Sequence, residues 1–280
     1  MKKTSAGTLG IALLAYLVFV AAAKGVATAP QRAAEMEGSV VLPAALQTLA
    51  YFGDPFLAAN VESTRVLMTG GDLTGIRQDY FHRLHMVVSA LNRCHEDNYY
   101  VANGLLAWAG GADAAISILD HATRCRFWDD VPPFFLGYNL YFFKRLHKEA
   151  KDMLFLAADR SPQNRAGLQK FGLILEAEAL PDARTARDYL VSQRDAATDP
   201  KLRGLLDQRI GRLNGLVVLR DAQAAFEKRF GRNFENPAEL LTSGILQSFP
   251  VDPMRLGYEY SNGVFSLKEL KIRGMEEARR

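Results

Sequence analysis

Apolar residues along this chain recur mostly with a helical period, and turn residues divide the sequence into paired segments. From Leu46 to about Leu67 the spacing is helical, with Gly53-Asp54-Pro55 as a start or break and Thr69-Gly70-Gly71 as a stop. A second helix is predicted from about Leu73 to Arg93, with Tyr80, Leu84, Val87 and Leu91 on one face, and these two form a hairpin. A helix from Tyr99 to Ala109, a turn at Gly110-Gly111 and a helix from Asp113 to about Arg126 follow. Asp129 to Pro133 then opens a helix running through Phe135 to Arg145, and Lys148 to Asp159 returns, stopped by Ser161-Pro162. A third pair covers Asn164 to Glu178 and Pro181 to about Ala197, ended by Asp199-Pro200, and a longer helix from about Leu202 to Arg229 closes the array. Beyond it, Asn236-Pro237-Ala238-Glu239 starts a short helix through Leu241. Tyr258-Glu259-Tyr260 and Val264-Phe265-Ser266 flank an Asn262-Gly263 pair, which predicts a two-stranded β-hairpin packed on the closing helix.

Beneath the helical pattern lies a weak repeat. Ala102, Gly137 and Gly172 recur at an interval of 35, as do Leu105, Leu140 and Leu175, while Ala115, Leu119 and Ala122 match Ala150, Leu154 and Ala157. A unit of this length buries its apolar face only against its neighbours, and small residues let paired helices approach closely. Leu136-Gly137, Ala150, Ala157 and Pro162 resemble the pattern of the tetratricopeptide repeat family, with one extra residue between Gly137 and Ala150. The resemblance covers roughly Asp54 to Pro200 and is best over Pro132 to Pro162. It implies a mainly α fold in which residues 46–200 form an α-solenoid of helical hairpins and residues 201–234 close it. In that family the first helix of each unit lines a concave groove that takes a protein or peptide partner. Carrying the phase over from Gly137 places Phe134, Tyr138 and Tyr141 or Phe142 toward the groove, and Tyr99 and Asn103 in the unit before. Tyrosine and asparagine combine contact area with hydrogen bonding, which suits peptide capture. The alternative is that most of these rings fill the core between repeats, the reading preferred for Phe135 and Phe143.

The ends of the chain add a compartment and a second resemblance. Lys2 and Lys3 precede an uncharged, mostly apolar run from Leu9 to Ala23, closed by Lys24, which is the pattern of an export signal. Residues 1–28 are therefore read as a signal peptide cleaved after Ala21-Ala22-Ala23, or as a signal-anchor helix, because Thr4 to Ala23 is an uncharged stretch close to the length needed to span a bilayer. Either fate puts the remainder in a bacterial-type periplasm, held off the inner membrane by a linker over 29–45 if the anchor is kept. In that compartment Cys94 and Cys125, near the ends of successive second helices, are free to form a disulfide, or remain as buried thiols. Within 235–280, the short helix, hairpin and charged tail, the order Pro-x-Asp-Pro, Gly-Tyr-x-Tyr, Asn-Gly and Val-Phe-Ser is similar to the C-terminal β region of type II secretion pseudopilins, over about 20 residues. Nothing near the N-terminus resembles the prepilin peptidase site of those proteins.

Charge and chemistry narrow the function by what they lack. The net charge of +3 gives no case for nucleic acid, and Arg203, Arg209, Arg212 and Arg220, interleaved with Asp207 and Asp221, read as a solvated helix face. There is no nucleophile elbow, phosphate-binding glycine loop or paired metal motif, so no catalytic residue, metal ligand or cofactor is assigned. Asp79, His82 and His85 share a helical stripe and could approach one metal ion in a periplasmic metal-binding or hydrolytic enzyme; the competing reading leaves them on polar flanks. In His95-Glu96-Asp97, Asp97 is read as a helix N-cap. The expectation is an extracytoplasmic, membrane-anchored, protein-binding scaffold in an envelope secretion or pilus assembly. A structural array that stacks end to end is the third reading, disfavoured because the closing helix has the amphipathic look of a cap.

Overall fold

The computed structural model describes residues 6–28, 41–69 and 78–268, so the expected stop at Gly70-Gly71, the helix start near Leu73, most of the linker and the charged tail lie outside the described residues. The chain divides into two compact units, 1–40 and 41–280. The first contains helix α1, Ala6–Thr28, whose Ile11, Leu13, Leu14, Leu17 and Phe19 side chains stand exposed.

The second unit is mainly helical. It runs α2 (Ala44–Ala50), α3 (Pro55–Thr69), α4 (Gln78–Leu91), α5 (Glu96–Val101), a π-helical segment (Ala102–Gly111), α6 (Ala112–Cys125), α7 (Val131–Lys144), α8 (His147–Arg160), α9 (Arg165–Glu178), α10 (Ala183–Ala196), α11 (Pro200–Phe230), α12 (Glu239–Thr242), β1 (Tyr258–Ser261) and β2 (Val264–Leu267). Aspartates before the helices set several starts: Asp54 accepts from the Phe56 and Leu57 N–H groups, Asp182 from Arg184 and Thr185, and Asp199 from Lys201 beside Pro200. Asp97 does not cap α5, contrary to the sequence reading; it lies in the first turn, and His95 Nδ1 accepts from the Asn98 N–H at 3.3 Å instead. By length and composition Glu96–Cys125 is apolar enough to cross a membrane, but Gly110, at φ 81°, breaks it into two arms that pack on each other.

Small residues determine how the helices meet. Ala102, Ala115, Leu119, Ala122, Ala150, Leu154 and Ala157, the repeat positions, are all buried. A Cβ on Gly137 would lie 2.9 Å from the Ala150 carbonyl oxygen, and one on Gly172 would lie 3.1 Å from Lys151 Cγ, so α8 is approached closely from both sides. Two departures from the repeat follow from local winding. Leu105 is exposed and Leu106 buried in its place, because the π winding rotates the chain relative to the α-helical phase of Leu140 and Leu175. In the third pair, Thr185 and Ser192 stand at the interval from Ala150 and Ala157 but are exposed, and Ala183, Ala186 and Leu190 are buried. Helix α10 is thereby turned, and it packs chiefly on α11 while α9 packs chiefly on α8.

The hairpin shares a core with α9 to α11, through Leu190, Leu206, Leu213, Phe226, Phe234 and Phe265. Tyr260 pairs with Phe265 across antiparallel strands, and the turn residues Asn262 and Gly263 both have positive φ, as a type I′ turn requires. Gly211 and Gly215 leave one side of α11 bare. A Cβ at Gly211 would come 2.9 Å from Pro253 Cγ, and one at Gly215 would overlap the Tyr258 hydroxyl, which donates to the Arg212 carbonyl at 3.1 Å. The solvated-face reading of the α11 arginines fails at Arg212: it is buried and ion-paired to Asp252 at 3.1 Å, and its Nη2 donates to the Gly257 and Lys268 carbonyls. Arg220 likewise donates to the Phe265 carbonyl. Helix α11 is thus covered on two sides instead of presenting one polar face.

The glycine contacts make opposite predictions at two positions. Gly137→Ala must push against backbone and is expected to destabilise by about 1–3 kcal/mol. Gly204→Ala, in α11 with no atom within 4 Å of the new Cβ, is expected to stabilise by about 0.4–1 kcal/mol. Urea unfolding of the two variants checks both signs.

Candidate interaction surface

The ends of α5, α6 and α7 are tied together by a disulfide and a polar knot. Cys94 and Cys125 are bonded, with Cα atoms 5.3 Å apart. The next residue, Arg126, donates to Asp129 Oδ2 at 2.8 Å and to Glu96 at 3.1 Å, and its guanidinium lies over the rings of Tyr99 and Trp128. Asp129 also accepts from the Tyr99 hydroxyl at 3.0 Å and from the Val131 N–H. Arg160, reaching from α8, donates to the carbonyls of Thr123, Arg126 and Asp129. Burial would raise the Asp129 pKa, but the Val131 N–H, Arg126 and Tyr99 outweigh it and hold the carboxyl below the ordinary range. Burial, reinforced by Asp129, pushes the Tyr99 phenol far above its ordinary value, so it remains a donor.

The six residues expected on the groove separate into two sets. Tyr99, 1% exposed, is a core residue of this knot, and Phe142 is buried against Trp108 and Tyr138, with ring centroids 5.0 and 5.6 Å away. Neither is open to a partner: Tyr99 is drawn inward by Asp129 and Arg126, and Phe142 lies among the rings of Trp108, Tyr138 and Phe143. Asn103, Phe134, Tyr138 and Tyr141 are half-buried at the surface. Asn103 accepts from Asn139 at 2.8 Å, and Tyr141 donates to Glu178 at 2.9 Å.

More exposed than any of these are residues not singled out by spacing. Tyr100 and Trp108 are 44% and 40% exposed on the α5 and π arm, and Phe127 and Trp128 are 72% and 58% exposed on the loop that the knot holds rigid. Phe127 and Trp128 meet edge to face at 5.0 Å. The sequence signal was available in one form: the chain has two tryptophans, and one sits between Arg126-Phe127 and Asp129-Asp130, where no helix could bury it.

The histidines are arranged otherwise than their stripe suggested. His85 is fully buried, not on a polar flank; its Nδ1 meets Asn98 Oδ1 at 2.6 Å, and Asn98 Nδ2 donates back to the His85 carbonyl. Asp79 pairs with Arg83, and the His82 ring lies where a Cβ on Gly111 would be. Among the described residues no three His, Cys, Asp or Glu side chains converge as a metal site. The Nε2 atoms of His82, His85 and His95 are buried without a hydrogen-bond partner. Burial holds His85 and His95 below the ordinary histidine value, and for His85 the nearby His95 and His82 act in the same direction, against the Asn98 hydrogen bond. The unfolded chain therefore takes up protons first, near pH 6.5. Stability is expected to be full above that pH and to fall as pH drops below it, by up to ~1.4 kcal/mol per histidine at pH 5.5. Urea unfolding at pH 7.5 and 5.5 is the measurement, with His85→Gln removing its share of the difference and leaving that of His95.

In comparison with known proteins the chain matches no protein-family model, no curated protein and no solved structure.

Proposed function

We propose that this chain is an extracytoplasmic, membrane-anchored scaffold of tetratricopeptide type, an α-solenoid that binds a protein partner within an envelope secretion or pilus assembly. The observation that carries the reading is the display in solvent of Tyr100, Phe127 and Trp128 at helix ends fixed by the Cys94–Cys125 bond and the Arg126 knot, with Trp108 exposed toward the Gly110 turn and seated on Phe142 and Phe143. Aromatic side chains held in place lose little freedom on binding, which is how interface hot spots gain affinity. Packing of successive helices from α3 through α9 supports the solenoid, and the exposed apolar side of α1 supports the anchor. The disulfide supports an oxidising compartment. The secretion or pilus setting rests on the similarity of residues 250–266 to pseudopilins alone. A metal-dependent enzyme has less support, since Asp79 and His85 already have protein partners, and end-to-end stacking has less because the hairpin covers α11.

Crosslinking of the intact chain in its native envelope tests this reading. Trp108→Ala combined with Trp128→Ala is expected to abolish the principal crosslinked protein while the helical circular dichroism is unchanged. An unaltered set of crosslinked proteins would overturn it.

A further inference from the structure

Between Leu42 and Val61 the second unit turns its apolar side outward. Leu46 and Leu49 lie three apart on one face of α2, Phe52 is 100% exposed at a left-handed turn (φ 57°), and Phe56 and Leu57 open α3 in solvent. Leu49 is 75% exposed. The opposite side of the pair is fully occupied: Ala58 and Ala59 pack on Val88 and Leu91, and Gln47 donates to Glu62, which also pairs with Arg65. The two helices are therefore held in place with this face uncovered by any described residue, and an exposed apolar surface of this kind marks a site of association.

Two features identify what covers it. The first is chemistry. Asp54 is the one charged residue from 42 to 61, and its carboxylate caps α3. The exposed large side chains are aliphatic or Phe, without the Trp, Tyr and Arg that anchor protein interfaces, whereas all three types occur on the α5–α7 surface. The second is position. Helix α1 ends at Thr28, and the 13 residues from there to Val41 reach at most on the order of 45 Å when fully extended. An anchor in the bilayer thus keeps this face within one short tether of lipid, where even weak affinity is sufficient.

We infer that the outer face of α2 and α3 docks on the lipid bilayer, with Leu49 and Phe52 entering the boundary between headgroups and acyl chains. This rests on the anchor reading of α1. Docking is driven by buried apolar area, as for interfacial helices, with little contribution from anionic lipid: residues 42 to 61 include no basic side chain, and Arg65, one turn beyond Val61, is paired with Glu62. It fixes one end of the helical unit against the membrane and leaves the aromatic surface of α5 to α7 for a partner.

The test uses the full chain reconstituted in phosphatidylethanolamine–phosphatidylglycerol vesicles containing phospholipids with a nitroxide near the headgroup end and near the methyl end of the acyl chain, so that both the interface and the bilayer centre are sampled. A fluorophore is placed in turn through Leu17→Cys, Phe52→Cys and Glu259→Cys. Phe52 and Glu259 are exposed, so labelling them leaves the packing intact. The expected result is at least twofold quenching at 17 and at 52, none at 259, and protection of 52 from iodide. Quenching at 17 with an unquenched, iodide-accessible 52 overturns the docking and leaves the anchor standing. No quenching at 17 overturns the anchor, and the docking with it. Iodide protection at 52 that grows with protein density, without lipid quenching, means that a second copy covers the face, and it overturns the lipid assignment.

Discussion

Replacing Asp252 by alanine is expected to destabilise the second unit by about 3–5 kcal/mol, the cost of leaving a buried charge without its partner. Asp252 and Arg212 are both almost fully enclosed, and the carboxylate does more than balance the guanidinium: it accepts from the N–H groups of Met254, Leu256 and Gly257 at 2.9, 3.1 and 2.7 Å. Alanine orphans all of these donors at once. The loss should localise to the hairpin, so hydrogen exchange at Tyr258 to Leu267 is expected to accelerate well before that at α7 and α8. Asp252→Ala combined with Arg212→Met is expected to be milder than Asp252→Ala alone, because the uncompensated charge goes with it. A double variant as unstable as the sum of the singles would show that the pair is not coupled. Burial works against the Asp252 charge, but the Met254 and Gly257 N–H groups together with Arg212 and Leu256 outweigh it and hold the carboxyl below its ordinary value. Its contribution is thus complete above about pH 4 and is lost as pH falls below that. That window is separate from the one set by the histidines.

Removing the disulfide is the second large effect. Cys94 and Cys125 are separated by 31 positions, and opening a loop of that length is expected to cost about 3–4 kcal/mol through the freedom regained by the unfolded chain. For a unit of this size that corresponds to a melting temperature lower by roughly 10 °C in Cys94→Ser with Cys125→Ser. The native bond also holds Arg126, which follows Cys125 and donates to the Cys94 carbonyl at 3.4 Å, so the variant should free the Phe127–Trp128 loop as well. Calorimetry reads the first consequence and tryptophan anisotropy the second. If the Cys94→Ser, Cys125→Ser chain kept both unchanged, the bridge would have no stabilising role.

What the sequence made legible, and what it did not, depends on how far apart the determining residues are. The helix ends at Asp54-Pro55, Gly110, Ser161, Asp182 and Asp199-Pro200 are set by neighbours within a turn, and so was the hairpin at Asn262-Gly263. The small repeat positions were readable because close packing tolerates little else at them. The failures share a cause as well. Tyr99 is buried because Asp129 and Arg126 receive it from 30 and 27 positions away, and Arg212 because Asp252 lies 40 away. No periodicity within a helix reports such partners. His85 is of the same kind, drawn inward by Asn98 across the α4–α5 turn. The exposed aromatics were less legible: phase picks out Tyr138 and Asn103, which are half-buried, while the exposure of Trp108 required knowing which way the π segment turns, and that of Phe127 and Trp128 knowing that the loop between α6 and α7 is tied down.

That π segment has one more consequence. Ala102 to Ala115 and Gly137 to Ala150 contain the same number of residues, yet the first path winds as a π-helix up to Gly110 and the second stays α-helical and closes through Arg145 in a left-handed conformation. Two stretches of equal length have absorbed the same surplus of chain in different places. In one it is confined to the turn; in the other it is spread along the helix, where it rotates Leu106 inward and leaves Leu105 and Trp108 facing solvent. A repeat can thus acquire a distinct surface with no insertion and no new side chain, through the choice of where its backbone is underwound.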